Sequence, residues 1–284
     1  MNTLRTVSEV REALAPARRE GLTIGLVPTM GALHEGHLSL LRRARADNDI
    51  VVMSLFVNPT QFNDAGDLDA YPRDEGRDLS LAEENGVDHV FAPSADELYP
   101  AGFSTTVTVA GVTEPLEGVH RGRAHFDGVA TVVTKLFNIV GPDVAYFGQK
   151  DAQQAVVIRR FAADLDLPVR IAVCPTVREP DGLALSSRNS HLSPPERERA
   201  TALHRALDAA RAAVAGGERD PDAVAAPARA LLRDGGIAPE YFEIVDADTM
   251  APAAQVNGNA LAVVAARVGT TRLIDNEPLQ PGGD

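Results

Sequence analysis

Between residues 22 and 174 the chain alternates short apolar, β-branched stretches with longer amphipathic ones, and that rhythm leaves few folds open. "LTIGLVPT", "DIVVMSLFVN", "VDHVFAP", "VAYFG" and "VRIAVCP" have the length and composition of strands. "HLSLLRRARADN", "RDLSLAEENG", "GVATVVTKLFNIVG" and "DAQQAVVIRRFAADL" lie between them with helix length, two of them closed by glycine. Strand, helix, strand in this order is the sequence form of βαβ units, so the expected fold is α/β, a doubly wound, Rossmann-like parallel sheet. Such sheets bind ligands outside the carboxyl ends of their strands, so the loops after "VPT", "FVN" and "YFG" should converge on one crevice.

The texture changes after Pro175. "TVREPDGLALSSRNSHLSPPERERA" is rich in Ser, Pro and charge, alanine-rich helices follow over residues 196–215 and 223–233, and "YFEIVD", "ALAVVAARV" and "TRLID" read as strands. Two domains are therefore expected: residues 1–176, the nucleotide-binding Rossmann-like part, and residues 177–284, a smaller α+β part that could act as a lid.

Charge and cysteine content narrow the setting. A formal net charge of -13 with no concentrated basic patch argues against nucleic acid or an anionic membrane as partner. The single cysteine, Cys174, cannot form an internal disulfide, no apolar run reaches membrane length, and the first residues lack the form of a signal peptide, so the expected location is cytoplasmic. Of 27 basic residues only Lys135 and Lys150 are lysines, which marks both for a closer look.

The segment "PTMGALHEGHLSL", residues 28–40, places His34 and His37 three residues apart around Gly36. A zinc-protease helix needs histidines at i and i+4, and the residue at that spacing is Leu38, so that reading fails. A structural metal site would need two further soft or imidazole ligands, and the lone Cys174 has no paired cysteine. Anion binding fits better. A helix starting at about Gly36 or His37 would aim unsatisfied N–H groups and a positive dipole end at the loop mouth, with Gly31 and Gly36 letting the backbone approach a phosphate. Core packing of the imidazoles stays open on spacing alone.

Taken with "SLFVNPTQF", "DLDAYPR", "YFGQKDAQQ" and "DGLALSSRN", the histidine segment resembles the pantothenate synthetase family, within the H-x-G-H nucleotidyltransferase superfamily. The resemblance runs from about residue 22 to 192 and more loosely to the C-terminus. It implies ligation of (R)-pantoate to β-alanine through a pantoyl adenylate, with ATP and Mg2+ as cofactors, the ion carried mainly by the phosphates because no dedicated carboxylate cage is visible. It also implies a homodimer.

Residue by residue, the resemblance implies that His34, His37, Lys150 and Arg188 are catalytic. It places Met30, Gly31, Gly36, Gly148, Asp151, Val177, Leu185, Ser186 and Ser187 with them around ATP, and Gln61, Gln154, Met30 and Asn58 around pantoate and β-alanine. Met30 and residues 129–133 would wall the dimethyl group, and Lys135 reads as a snorkelling helix residue. The chain departs from the family in two places. Gln149 stands where the family usually has glutamate, and Arg121 in "RGRAHF" matches the family arginine only if one residue is inserted before His125. A nucleotidyltransferase acting on a phosphorylated acceptor would use the same histidine loop, but it should carry extra basic residues near the acceptor, and "NPTQF" has none. A class I aminoacyl-tRNA synthetase is disfavoured by acidity and size. A non-catalytic nucleotide-binding module is the blander alternative, and the combination of His34, His37, Lys150 and Arg188 argues against it.

Overall fold

The computed structural model describes residues 1–62, 65–69 and 71–280, so Ala70 of the "DLDAYPR" motif lies outside the described residues. The chain packs as two units, one of residues 1–148 and 157–174, the other of residues 149–156 and 175–284. Chain order runs through β1 (Asn2–Leu4), α1 (Val7–Glu20), β2 (Ile24–Thr29), α2 (Glu35–Asp47), β3 (Ile50–Leu55), α3 (Ala65–Asp69), α4 (Glu75–Glu84), β4 (His89–Phe91), α5 (Ala95–Leu98), α6 (Glu117–Arg121), α7 (Arg123–Val140), β5 (Val144–Gly148), α8 (Ala152–Asp164) and β6 (Arg170–Cys174). The remaining elements are α9 (Pro194–Ala215), α10 (Pro221–Asp234), β7 (Pro239–Asp246), β8 (Ala260–Val268) and β9 (Thr271–Leu279).

In the first unit six parallel strands lie in the order β1-β4-β3-β2-β5-β6. This is the doubly wound sheet expected from the alternating pattern. Leu26, Val27, Val51, Val52 and Met53 are fully buried, the near-continuous apolar character of strands covered on both faces. The winding direction reverses between β2 and β5, so the crevice at their carboxyl ends is the topological switch point. β1 escaped the sequence reading because three residues carry too little periodicity to register.

α2, which begins in the histidine motif, is tied down at its other end. Its C-cap Asn48 is buried and donates through Nδ2 to Ala44 O (2.8 Å) and to Tyr146 Oη on β5 (2.7 Å). Tyr146 Oη in turn donates to Asp47 Oδ2 at 3.1 Å.

In the second unit β7, β8 and β9 form an antiparallel sheet. Ala260, Ala262, Val264 and Ala266 of β8 share one face, and they form a core with Leu203, Ala206, Leu207 and Ala210 of α9 and Val224, Ala228 and Leu232 of α10. The alanines let helices and sheet approach closely, which is why the helices are alanine-rich. The second unit also takes in residues 149–156, which a linear reading places in the first domain. No helix among the described residues is long and apolar enough to cross a membrane.

Candidate active site

The loop after β2 turns back on itself through two consecutive left-handed residues, Gly31 (φ 85°) and Ala32 (φ 51°). For alanine that conformation costs about 1 kcal/mol, so something must hold it. Asp78 of α4, 1% exposed, does so. Its two carboxylate oxygens accept from Ala32 N–H and Leu33 N–H, each at 2.8 Å. The neighbouring Arg77 donates through Nη1 to Leu33 O at 3.0 Å. Thr29 Oγ1 donates to Ser54 O (2.8 Å) and accepts from Gly31 N–H (3.3 Å), which joins the loop's root to β3.

α2 begins one or two residues earlier than its pattern suggested, with His34 as its N-cap. His34 Nδ1 accepts from Gly36 N–H at 3.2 Å, and His37 Nδ1 accepts from His34 N–H at 3.3 Å, a reciprocal capping box built from two imidazoles. The rings lie 4.1 Å apart between centroids. A ring nitrogen that accepts a backbone N–H carries no proton, so the neutral tautomer of each histidine has its hydrogen on Nε2. The cap thereby converts both side chains into Nε2–H donors at the helix N-terminus. Gly36 is required here because a Cβ would sit 2.9 Å from His34 Cε1 and force the capping ring aside.

Beside this loop, Asn58 organises a second group. It is 1% exposed, and its Nδ2 donates to Gly128 O and to Gln61 Oε1, both at 3.1 Å. Its Oδ1 accepts from Thr60 Oγ1 and Tyr99 Oη, both at 2.9 Å. Burial pushes the Tyr99 phenol up, with the Thr60 hydrogen bond pulling the other way, which favours the protonated donor that Asn58 needs. Because Oε1 of Gln61 faces Asn58, the amide's other end points the opposite way, with Nε2 at 3.2 Å from Met30 Sδ. Gly128 lets α7 reach this turn, since a Cβ there would lie 2.5 Å from Thr60 O. Val129, Val132 and Val133 are buried next to it in sequence. His125 Nδ1 donates to Gln61 O at 2.8 Å, and Arg121 donates to Glu117 at 2.8 Å, so the "RGRAHF" segment is split by Gly122 between the end of α6 and the start of α7. Lys135 lies 4.7 Å from the centre of the Phe103 ring and 5.9 Å from that of Tyr99, in keeping with a stem buried along a helix and a head on aromatic faces.

The second unit gathers its own set. It takes up the chain after Gly148, the last residue of β5 and of the first unit's opening segment, with a single helical turn over Gln149–Asp151. Lys150 Nζ lies 3.5 Å from Asp151 Oδ1, with the lysine side chain 19% exposed. Gln154 is half-buried in the first turn of α8. Val177 and Leu185 close a small hairpin through Leu185 N–H to Val177 O at 2.9 Å. Ser186 then accepts through Oγ from Arg188 N–H (3.3 Å) and starts the short helix Ser187–His191, which leaves the Arg188 side chain exposed. No cluster of three or more His, Cys, Asp or Glu poised for a metal is found among the described residues.

A family model described as pantoate-beta-alanine ligase matches residues 2–278. The chain belongs to the pantoate–β-alanine ligase family. It is 55% identical to the pantothenate synthetase of Roseiflexus castenholzii over 277 residues, 97% of this chain and 98% of that one. The crystal structure of the Thermus thermophilus pantothenate synthetase superposes with a TM-score of 0.93 at 46% identity, covering 99% of this chain and all (100%) of the other. The pantoate-beta-alanine ligase of Francisella tularensis, complexed with beta-gamma ATP and β-alanine, superposes with a TM-score of 0.81 at 33% identity, covering 98% and 97%.

Asn58, which the resemblance placed at the substrate, is itself buried and holds Gln61, while Asp78 and Tyr99 did not figure in the sequence reading. Asp78 had one available signal, a carboxylate sharing the buried stripe of α4 with Ala82. Tyr99 had none, because its hydrogen bond to Asn58 spans 41 residues. Asp78→Ala leaves two N–H groups without their acceptor. It should cost about 2–6 kcal/mol in chemical denaturation, the penalty of two unsatisfied buried amides. Asp78→Asn should not restore the loss, because its NH2 would face one of those two N–H donors. Wild-type stability in both variants would mean that the loop holds its shape unaided.

Proposed function

We infer that the chain ligates pantoate to β-alanine through a pantoyl adenylate, using the two histidines after β2 as phosphate donors. A pantoate carboxylate oxygen attacks the α-phosphorus of ATP, the bond from that phosphorus to the bridging oxygen breaks, and pyrophosphate leaves. The β-alanine amine nitrogen then attacks the acyl carbon, the carbon–oxygen bond to AMP breaks, and the amine gives up a proton. A carboxylate is ionised at neutral pH, so the first step needs no general base. What it needs is alignment of two anions and donors for the charge that accumulates on the departing phosphates.

The observation that carries this reading is the reciprocal cap of His34 and His37. It supplies two Nε2–H donors, already oriented, at the N-terminus of α2 beside the switch point. His37 donates to pyrophosphate as it departs. Lys150 and Arg188 supply charge, Ser186 and Ser187 supply hydroxyls, and Gly31, Gly36, Gly148, Val177 and Leu185 supply backbone around the nucleotide. Gln61 offers Nε2–H to a pantoate oxygen, because Asn58 already occupies its Oε1. Met30 packs beside it, and Gln154 acts on the same substrate. Mg2+ brought in with ATP would screen the charge of its phosphates, and Asp151 in the phosphate-lysine turn is the carboxylate that would help to hold it. The single cysteine, which can form no internal disulfide, supports a cytoplasmic location.

Pyrophosphate release should require pantoate and ATP, while AMP release should also require β-alanine. His37→Ala and Lys150→Ala should each slow single-turnover adenylate formation by about a hundredfold or more. Equal AMP production without β-alanine, or wild-type rates in both variants, would overturn the reading. The family resemblance supports a homodimer. Sedimentation velocity should give twice the mass of one chain, and a single-chain mass at working concentrations would refute it.

A further inference from the structure

The turn that carries Lys150 is held by a side chain 126 residues away. Asn276, in the middle of β9 and 3% exposed, donates through Nδ2 to both Gln149 O and Lys150 O at 2.9 Å. Its Oδ1 accepts from Gln149 Nε2 at 2.8 Å. One buried amide therefore uses both hydrogens and its oxygen on two consecutive residues, and that fixes its own orientation as well as theirs. The three contacts determine where the Lys150 backbone sits and hence the origin of its flexible stem.

The adjoining residue does the same for the other phosphate segment. Asp275, also 3% exposed, makes a two-pronged ion pair with Arg178, Nη1 to Oδ2 at 2.6 Å and Nη2 to Oδ1 at 3.1 Å. Arg178 Nη1 also donates to Gly182 O at 3.1 Å, inside the hairpin that runs from Val177 to Leu185. Asn189 Nδ2 donates to Ala184 O (3.0 Å) and Glu179 Oε1 (2.9 Å), which ties the Ser187–His191 helix to that hairpin. Asp275 Oδ1 also accepts from Asn276 N–H at 2.8 Å. Two neighbouring residues of one strand thus anchor the lysine turn and the serine–arginine segment.

We propose that Asn276 is a positioning residue for Lys150, acting through the carbonyls of Gln149 and Lys150, and that Asp275 holds the hairpin beside residues 186–188 in the same way. The proposal rests on the reading of Lys150 as a phosphate donor. A merely structural Asn276 would lower stability and slow every step without regard to Lys150. A positioning Asn276 has an effect only while the lysine is there to be positioned. A double-mutant cycle separates the two cases.

Asn276→Ala should slow single-turnover adenylate formation by about tenfold or more, yet by no more than about twofold further when made in a Lys150→Ala background. Gln149→Met removes only the hydrogen bond that fixes the amide's orientation. It should show a smaller effect with the same dependence on Lys150, and it keeps the cycle available if Asn276→Ala does not fold. Equal fold-losses in the presence and absence of Lys150, or wild-type rates in Asn276→Ala and Gln149→Met, would overturn the positioning role while leaving the lysine's own role intact. A wild-type rate in Lys150→Ala would instead remove the reading on which the proposal rests.

Discussion

The carboxylate of Asp78 is the constraint on which the histidine site depends. Two successive left-handed residues aim the N–H groups of Ala32 and Leu33 into the protein, where only a buried acceptor can satisfy them. With that acceptor in place the chain leaves β2, reverses, and delivers His34 to the start of α2 as its cap. The position of His34 then fixes His37, because each ring accepts a backbone N–H from the other's immediate surroundings. Tautomer, ring orientation and helix start thus follow from one another.

The second unit uses the same device with different groups. Asn276 and Asp275 have no reason to face a substrate, since their polar atoms are committed to the backbone and to Arg178. Reactions between two anions reward this division of labour. Donors that are held still need no reorganisation as charge builds, whereas long side chains on loose loops would have to be ordered in every turnover. Ligand-facing residues can be few if buried polar groups behind them are fully satisfied.

How much of this could be read in the sequence follows from separation along the chain. β2, β3 and β5 were legible because strands buried on both faces spell continuous β-branched runs, whereas their order in the sheet, which sets the reversal beside β2, was not. The family was legible through the resemblance of its motifs. That His34 would be the cap was not, because histidine is outside the usual capping set and the glycines drew the expected helix start to residue 36 or 37. Asp78 acts across 45 and 46 residues, Tyr99 across 41, and Asn276 across 126 and 127. Nothing in the local pattern of a polar residue says which distant carbonyl or amide it will meet. The assignment of residues 149–156 to the second unit was hidden for the same reason, since their partner strand comes at the far end of the chain.

The course of the reaction can be followed by one atom. If a pantoate carboxylate oxygen forms the bond to the α-phosphorus and the β-alanine amine later breaks the acyl carbon–oxygen bond, that oxygen leaves with AMP. Pantoate labelled with 18O in its carboxylate, turned over with ATP and β-alanine, should yield AMP carrying one labelled oxygen and pantothenate retaining one in its amide carbonyl. Unlabelled AMP, with the second labelled oxygen found in inorganic phosphate or in water instead, would contradict an adenylate route and with it the role assigned to the histidine cap.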